Sequence, residues 1–301
     1  MRIIDAKIDL HVHPFFEQGN SLTDVVKAMQ RTGIDIVGLE RFNGQLFQQV
    51  CEQAQGLFYP QIPDDAGVIL GGGVLQSKEN RVVIFNAREY DTRERIHLLT
   101  IGWSDSSATP DTEMRRVIDT ALKHGALVIL DHPFVDNEFT RTAGHISDQK
   151  AQLLERICEE YIGEIAVEWN GYCVPWMRAA LQPVVKALYA ARIVPHDCTY
   201  HDVNKKAEEF VEQMRAKGYN IPLIADTDLH ARNPGLLNAI GTAYVTATVE
   251  GERASEILAS MKRAIFRGAY QNHEEYVSGL HLLRAFCLPV LFPAIYAKPR
   301  A

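Results

Sequence analysis

Short apolar runs and amphipathic stretches take turns along this chain. Ile3, Ile4, Ile8 and Leu10 mark a first strand that stops at Pro14, which has no amide hydrogen to continue a ladder. Ser21 to Thr32 reads as a helix: Ser21 caps it with Asp24 three residues on, and Leu22, Val25, Val26 and Met29 form its apolar stripe. Gly33 closes it. Ile34 to Leu39 is the next strand, and Glu40, Arg41 and Asn43 follow at its end. Gln45 to Gln55 reads as a second helix, and Gly56 to Gly73 as an irregular stretch rich in Pro and Gly. Further strands are expected at Val82–Phe85, Ile96–Trp103, Leu127–Leu130, Ile165–Trp169, Ile193–Pro195 and Ile221–Ala225. Helices are expected at Glu113–His124, Gln152–Tyr161, around Met177–Ala191, and at Lys205–Lys217. With no low-complexity linker and no internal repeat, residues 1–301 read as a single α/β domain, most simply a barrel with parallel strands.

Composition narrows this picture little. The apolar share of 47% and charged share of 23% suit a globular chain with a large core. A net charge of −7 argues against a nucleic-acid groove, other than for a small nucleotide, and against an anionic membrane. Five cysteines without CxxC spacing read as reduced thiols of a cytoplasmic protein, and the N-terminus carries no signal-peptide core. The apolar run Val277 to Tyr296 carries His281 and Arg284 and is broken by Pro289 and Pro293. It is expected as a helix and tail, from about 277, packed on the body or on another subunit of a homo-oligomer rather than as a membrane span.

The polar positions at strand ends carry the chemistry. His11 and His13 are two residues apart on a strand, so both imidazoles face one way, as a pair of metal ligands would. Of 11 histidines, His11, His13, His97, His132 and His230 lie on or at the ends of expected strands, with Glu89 and Asp228 beside them. Barrel strands deliver their ends to a common mouth, so these groups can converge. Nitrogen and carboxylate donors without thiolate suit zinc, manganese or iron.

The segments Asp9-Leu10-His11-Val12-His13, Ile96-His97-Leu98-Leu99, Asp131-His132-Pro133 and Thr227-Asp228-Leu229-His230 resemble, in order, the motifs of the polymerase-and-histidinol-phosphatase (PHP) family. The resemblance implies a distorted (β/α)7 barrel and a metal-dependent phosphoesterase with two or three divalent metal ions. Ala87-Arg88-Glu89-Tyr90 matches the family's glutamate; an alignment on Gly71-Gly72-Gly73 would leave that ligand missing. By this resemblance His11, His13, Glu89 and Asp228 hold one metal, and Glu89, His97 and His132 a second, with Glu89 as the bridge. A metal-bound hydroxide between them is the implied nucleophile against a phosphate mono- or diester of a small molecule. Asp228 and His132 are thus catalytic candidates.

The chain departs from the family at the third site, where Leu39-Glu40-Arg41 stands in place of a segment ending in histidine. Glu17 or Glu40 can join His230 on an additional metal. Arg41 has no lone pair to donate, so it is read as a fork gripping substrate phosphate, or as a partner of Glu17. Arg232 is a second candidate for substrate phosphate. Glu168-Trp169-Asn170 ends a strand and serves either to orient a ligand imidazole or to touch substrate. His196, Cys198 and His201 have no defensible zinc spacing. Two rival readings stand: an amidohydrolase-type metal-dependent hydrolase, which shares HxH on its first strand, and a metal-binding barrel without activity.

Overall fold

A computed structural model describes residues 2–40, 59–64, 66–71, 82–105, 107–135, 148–175 and 202–287, with single positions between 183 and 191. Among the described residues, twelve strands form one sheet: β1 (Arg2–His13), β2 (Ile36–Glu40), β3 (Tyr59–Asp64), β4 (Gly67–Gly71), β5 (Val82–Asp91), β6 (His97–Ile101), β7 (Leu127–Asp131), β8 (Ile165–Asn170), β9 (Leu223–Asp226), β10 (Leu229–His230), β11 (Tyr244–Glu250) and β12 (Tyr270–His273). Seven of them run β1-β2-β5-β6-β7-β8-β9, and β10 continues β9 to pair with the end of β1 through Val12↔Leu229 and His13↔His230. The sheet thereby curls into a barrel that closes only at its upper rim. Lower down, the same edge of β1 pairs instead with β11, antiparallel.

The expected all-parallel barrel is corrected at one strand. β6 runs antiparallel to both β5 and β7. His97 therefore reaches the mouth from the start of its strand, opposite Asp91 and Asp131 at the ends of the flanking strands. The Gly56–Gly73 stretch, read as irregular, contains the β3–β4 hairpin, whose second strand pairs with β5. β5 is also longer than its apolar core suggests, so Glu89 lies within the strand rather than after it. The expected segments Gln45–Gln55 and Ile193–Pro195, and nearly all of Met177–Ala191, lie outside the described residues.

The helices are α1 (Leu22–Thr32), α2 (Met114–Lys123), α3 (Asp148–Glu160), α4 (Val203–Ala216), α5 (Ala254–Phe266) and α6 (Gly279–Leu282). α1 starts as its sequence dictates: Ser21 Oγ accepts from Asp24 N while the Asp24 carboxylate accepts from Ser21 N. Gly33 ends it in the left-handed region at φ +71°. No helix among the described residues is long and apolar enough to cross a membrane. Val277, Leu282 and Ala285, around α6, are buried against Tyr172, Leu229 and α1's apolar cluster.

The period of two along each strand sorts side chains to the two faces. Val83, Phe85 and Ala87 of β5, Leu99 and Ile101 of β6, Leu127 and Ile129 of β7, Ala166 of β8 and Ile224 of β9 form one interior cluster. Ala254, Ile257, Leu258, Met261 and Ile265 of α5 belong to it, at the end away from the mouth. Residues of the opposite parity, such as Val128, Leu130 and Val167, pack on the surrounding helices. Gly38 fits this crowding, because a Cβ there would sit 2.2 Å from the carbonyl oxygen of Leu10.

Candidate metal centre

The interior rows change character as they rise. Continuing each by two residues turns Ala87 into Glu89, Leu99 into His97, Ile129 into Asp131, Ala166 into Glu168 and Ile224 into Asp226. On β1 the pairing register with β2 shifts between Asp9 and Val12. Leu10 lies in the interior cluster, yet Val12 packs with α1. This irregularity hands the inward direction to His11 and His13, a recognised use of a bulge beside a site.

Nearly all the candidate ligands meet at the mouth. His11 Nε2, His13 Nε2 and Asp228 Oδ1 are separated by 2.9, 3.3 and 3.5 Å. Bonds of about 2.0–2.1 Å to a tetrahedral ion set donor atoms about 3.3–3.4 Å apart, so these spacings fit one cation. A second group joins Glu89, His97, Asp131 and His132. His132 Nε2 is 3.6 Å from Glu89 Oε1 and 3.4 Å from Asp131 Oδ2, and His97 Nδ1 is 3.9 Å from Asp131 Oδ2 and in close contact with Glu89 Oε1. Glu89 turns its other oxygen, Oε2, to His13 Nε2 at 3.7 Å. One carboxylate thus faces both groups. Among the described residues, His97 Nδ1, both Asp131 oxygens and Asp228 Oδ1 are buried without a hydrogen-bond partner. Buried polar atoms rarely stay so, and donors of these types suit divalent metal.

Glu168 braces the group from below. Its Oε1 lies 2.7 Å from His11 Nδ1, while Oε2 accepts from the His132 backbone N at 2.7 Å and from Asn170 Nδ2 at 3.0 Å. Asn170 also donates to Asp228 Oδ2 at 2.9 Å. Taking up Nδ1 of His11 leaves its Nε2 for the mouth, the usual division of labour in a ligating imidazole. Asp9 holds the loop after β9, accepting from Thr227 N and Oγ1 and from Gly241 N. Strain gathers here too: Phe15, His132 and Asp228 have φ of +45°, +26° and +51°, and such non-glycine conformations persist where surrounding structure over-determines them.

The electrostatics match a cation site. Burial would lower His13 and His132. Asp228 and Glu40 beside the first, and Asp131 and Glu89 beside the second, overcome that and raise them to about 9 and about 10. Burial would raise Glu89 and Asp228, but the imidazoles around them hold both carboxylates low. Asp131 is pushed well up by burial and then by Glu168, and Asp226 likewise.

The remaining candidates scatter. Glu40 is buried with Oε2 3.5 Å from His13 Nδ1, and His230 stacks on His13 with centroids 4.4 Å apart and Nε2 3.5 Å from Asp228 Oδ1. Glu17 is exposed on the turn Phe16–Gln18 and joins none of the ligand groups among the described residues. Arg232 is exposed, its guanidinium 5.5 Å above the ring of Phe15, which itself packs on His13 and His230. Arg41, His196, Cys198 and His201 lie outside the described residues. Asp131 and Asp226 escaped the reading of the sequence as site residues, although counting by twos along the apolar rows reaches both.

No protein-family model matches the chain, and no curated protein does. Among solved structures it resembles a two-domain protein containing a PHP-like metal-dependent phosphoesterase from Bacteroides vulgatus ATCC 8482, at TM-score 0.51 and 15% identity, over 95% of this chain and 70% of that one. It also resembles the lesion-specific endonuclease PfuEndoQ from Pyrococcus furiosus, at TM-score 0.50 and 13% identity, over 89% of this chain and 58% of that one. PsfC from Pseudomonas syringae PB-5123 aligns over 98% of both chains at TM-score 0.48 and 12% identity. At these identities the likeness is one of fold. The chain has the distorted α/β barrel of PHP-type proteins, as the four sequence motifs imply.

Proposed function

We propose that the mouth holds two divalent metal ions and hydrolyses a phosphate mono- or diester of a small molecule. The observation that carries this is Glu89, whose two oxygens face two separate donor groups within one buried mouth. His11, His13 and Asp228 would hold one ion, and His97 and His132 the other, with Glu89 shared. Such a pair supplies Lewis acidity and neutralises charge on the phosphoryl oxygens. The two neighbours described as a PHP-like metal-dependent phosphoesterase and as a lesion-specific endonuclease support phosphoester chemistry on this fold.

The chain's own residues then orient and exclude. Glu168 fixes the His11 ring and the strained backbone at His132, and Asn170 steers Asp228. Arg232, resting on Phe15 at the rim, offers its guanidinium to the substrate phosphate as it enters. Arg41, directly after Glu40 in the chain, is assigned the same task, in place of a third metal. His230 and Glu40 line the side of the mouth beside His13 and are the donors available to any additional ion. The net charge of −7 favours a small phosphate over a nucleic-acid duplex.

Release of nitrophenol from p-nitrophenyl phosphate and bis-p-nitrophenyl phosphate tests this, with zinc, manganese or iron(II) added to chelator-treated protein. Metal-dependent turnover is expected, lost by orders of magnitude in Asp228→Asn and His132→Ala. Turnover of a chromogenic amide but of neither phosphate would favour the amidohydrolase reading. Metal binding without any hydrolysis would favour the inactive barrel.

A further inference from the structure

We infer that Asp131 is a fourth protein ligand of the His97–His132 metal, matching the four that His11, His13, Asp228 and the shared Glu89 give the other ion. The inference rests on the two-metal reading above and adds a residue to which neither the motifs nor the fold neighbours assign a role.

Asp131 ends β7 directly opposite His97, its Cα partner across the antiparallel pair. The parity that puts Leu127 and Ile129 in the barrel interior aims its carboxylate inward at mouth level. It is completely buried, and among the described residues neither oxygen has a hydrogen-bond partner. A carboxylate in that position needs donors or a cation. The nearest donor, His11 Nδ1 at 3.3 Å, is already engaged by Glu168 at 2.7 Å. What Asp131 does face is a pair of imidazole nitrogens, His132 Nε2 at 3.4 Å and His97 Nδ1 at 3.9 Å, with Glu89 Oε1 beyond them. One donor atom from each of Glu89, His97, Asp131 and His132 lies within 4.8 Å of the other three.

Asp131 brings the two groups level. His11, His13 and Asp228 with one oxygen of Glu89 give the first ion four protein donors, whereas His97 and His132 with the other oxygen of Glu89 give the second only three. Asp131 supplies the fourth, and four protein donors complete a tetrahedral shell.

The test uses cobalt(II) as the probe metal on the full chain, read by bound equivalents and by visible absorption, which is intense for tetrahedral and weak for octahedral cobalt. Wild-type protein is expected to take two equivalents, both giving the intense tetrahedral bands. Asp131→Asn keeps the shape but lowers donor strength; it should lose about half of the intense absorption and weaken one equivalent at least tenfold, while the other equivalent stays. Asp228→Asn should weaken the other equivalent instead. If Asp131→Asn misfolds, a crystal of the wild-type protein soaked in cobalt decides, with Asp131 oxygen expected at about 2.0–2.2 Å from one ion. Two equivalents with unchanged spectrum and chelator resistance in Asp131→Asn would overturn the role of Asp131 and leave the two-metal site standing. Fewer than two equivalents in wild type would overturn the two-metal reading itself, and this inference with it.

Discussion

Replacing Glu168 by Gln is the perturbation whose cost the geometry defines best. The side chain is buried, and its contacts to the site are His11 Nδ1 at 2.7 Å on Oε1, and the His132 backbone N at 2.7 Å and Asn170 Nδ2 at 3.0 Å on Oε2. A glutamine amide can be seated two ways. With its NH2 at the Oε2 position, it sets a donor against the His132 N–H and the Asn170 amide. Flipped, it meets His11 Nδ1–H with a donor, and His11 must move its proton to Nε2, the nitrogen that faces the mouth. Either seating forfeits at least one charge-assisted hydrogen bond, worth about 1.5–3 kcal/mol. At about 1.4 kcal/mol per factor of ten, metal affinity should fall by about 10- to 100-fold, the range seen for partners of ligating imidazoles. Competition with a chromophoric chelator reads this directly, and a melting curve in EDTA separates it from loss of fold. Affinity within about twofold of wild type, in folded protein, would refute the bracing role.

Three further outcomes follow from the same geometry. Glu89→Gln should weaken both metals together, read as bound equivalents after dialysis, because each carboxylate oxygen faces a different donor group. Arg41→Lys should lower kcat/KM for phosphate esters by about 10- to 100-fold with metal content unchanged, since it keeps charge but loses the bidentate fork; Arg41→His should gain a third metal equivalent, and an Arg41→His variant with unaltered kinetics and metal count would sink the phosphate grip. Metal binding should strengthen with pH. His13 at about 9 and His132 at about 10 are protonated near neutrality in the metal-free chain and must give up those protons to bind an ion. Affinity should therefore rise about tenfold per pH unit for each proton released, and titration calorimetry in buffers of differing ionisation heat should show the release. The sign for the metal-free fold is opposite: folded values above the ordinary imidazole range stabilise it at low pH, and that contribution fades as pH rises through about 9 to 10.

The sequence pattern reveals the barrel and most of its mouth, because both follow from local rules. Ser21, Asp24 and Gly33 bound α1 through backbone hydrogen bonds that any sequence of that kind makes. The HxH pair faces one way because a strand alternates, and the bulge before Val12 only chooses which way. What escapes is set by non-local pairing. Nothing within His97–Ile101 tells that strand to run backwards; its direction is fixed by pairing with β5 and β7. The β3–β4 hairpin hides in a segment whose Pro and Gly content argues for loop, and it persists because its second strand pairs with β5. Asp131 and Asp226 are hidden for another reason. Each is one acid at the end of an apolar run, ordinary taken singly, and significant only once the barrel stacks those ends at one level.

The central claim is that Glu89 separates two ions in one mouth. Anomalous scattering from crystals grown with zinc or manganese, collected on both sides of the metal edge, tests it most directly. Two peaks about 3.5–4 Å apart, one beside His11, His13 and Asp228 and the other beside His97, Asp131 and His132, with a Glu89 oxygen on each, is the expected map. A single peak, or two peaks with Glu89 touching neither, would contradict it.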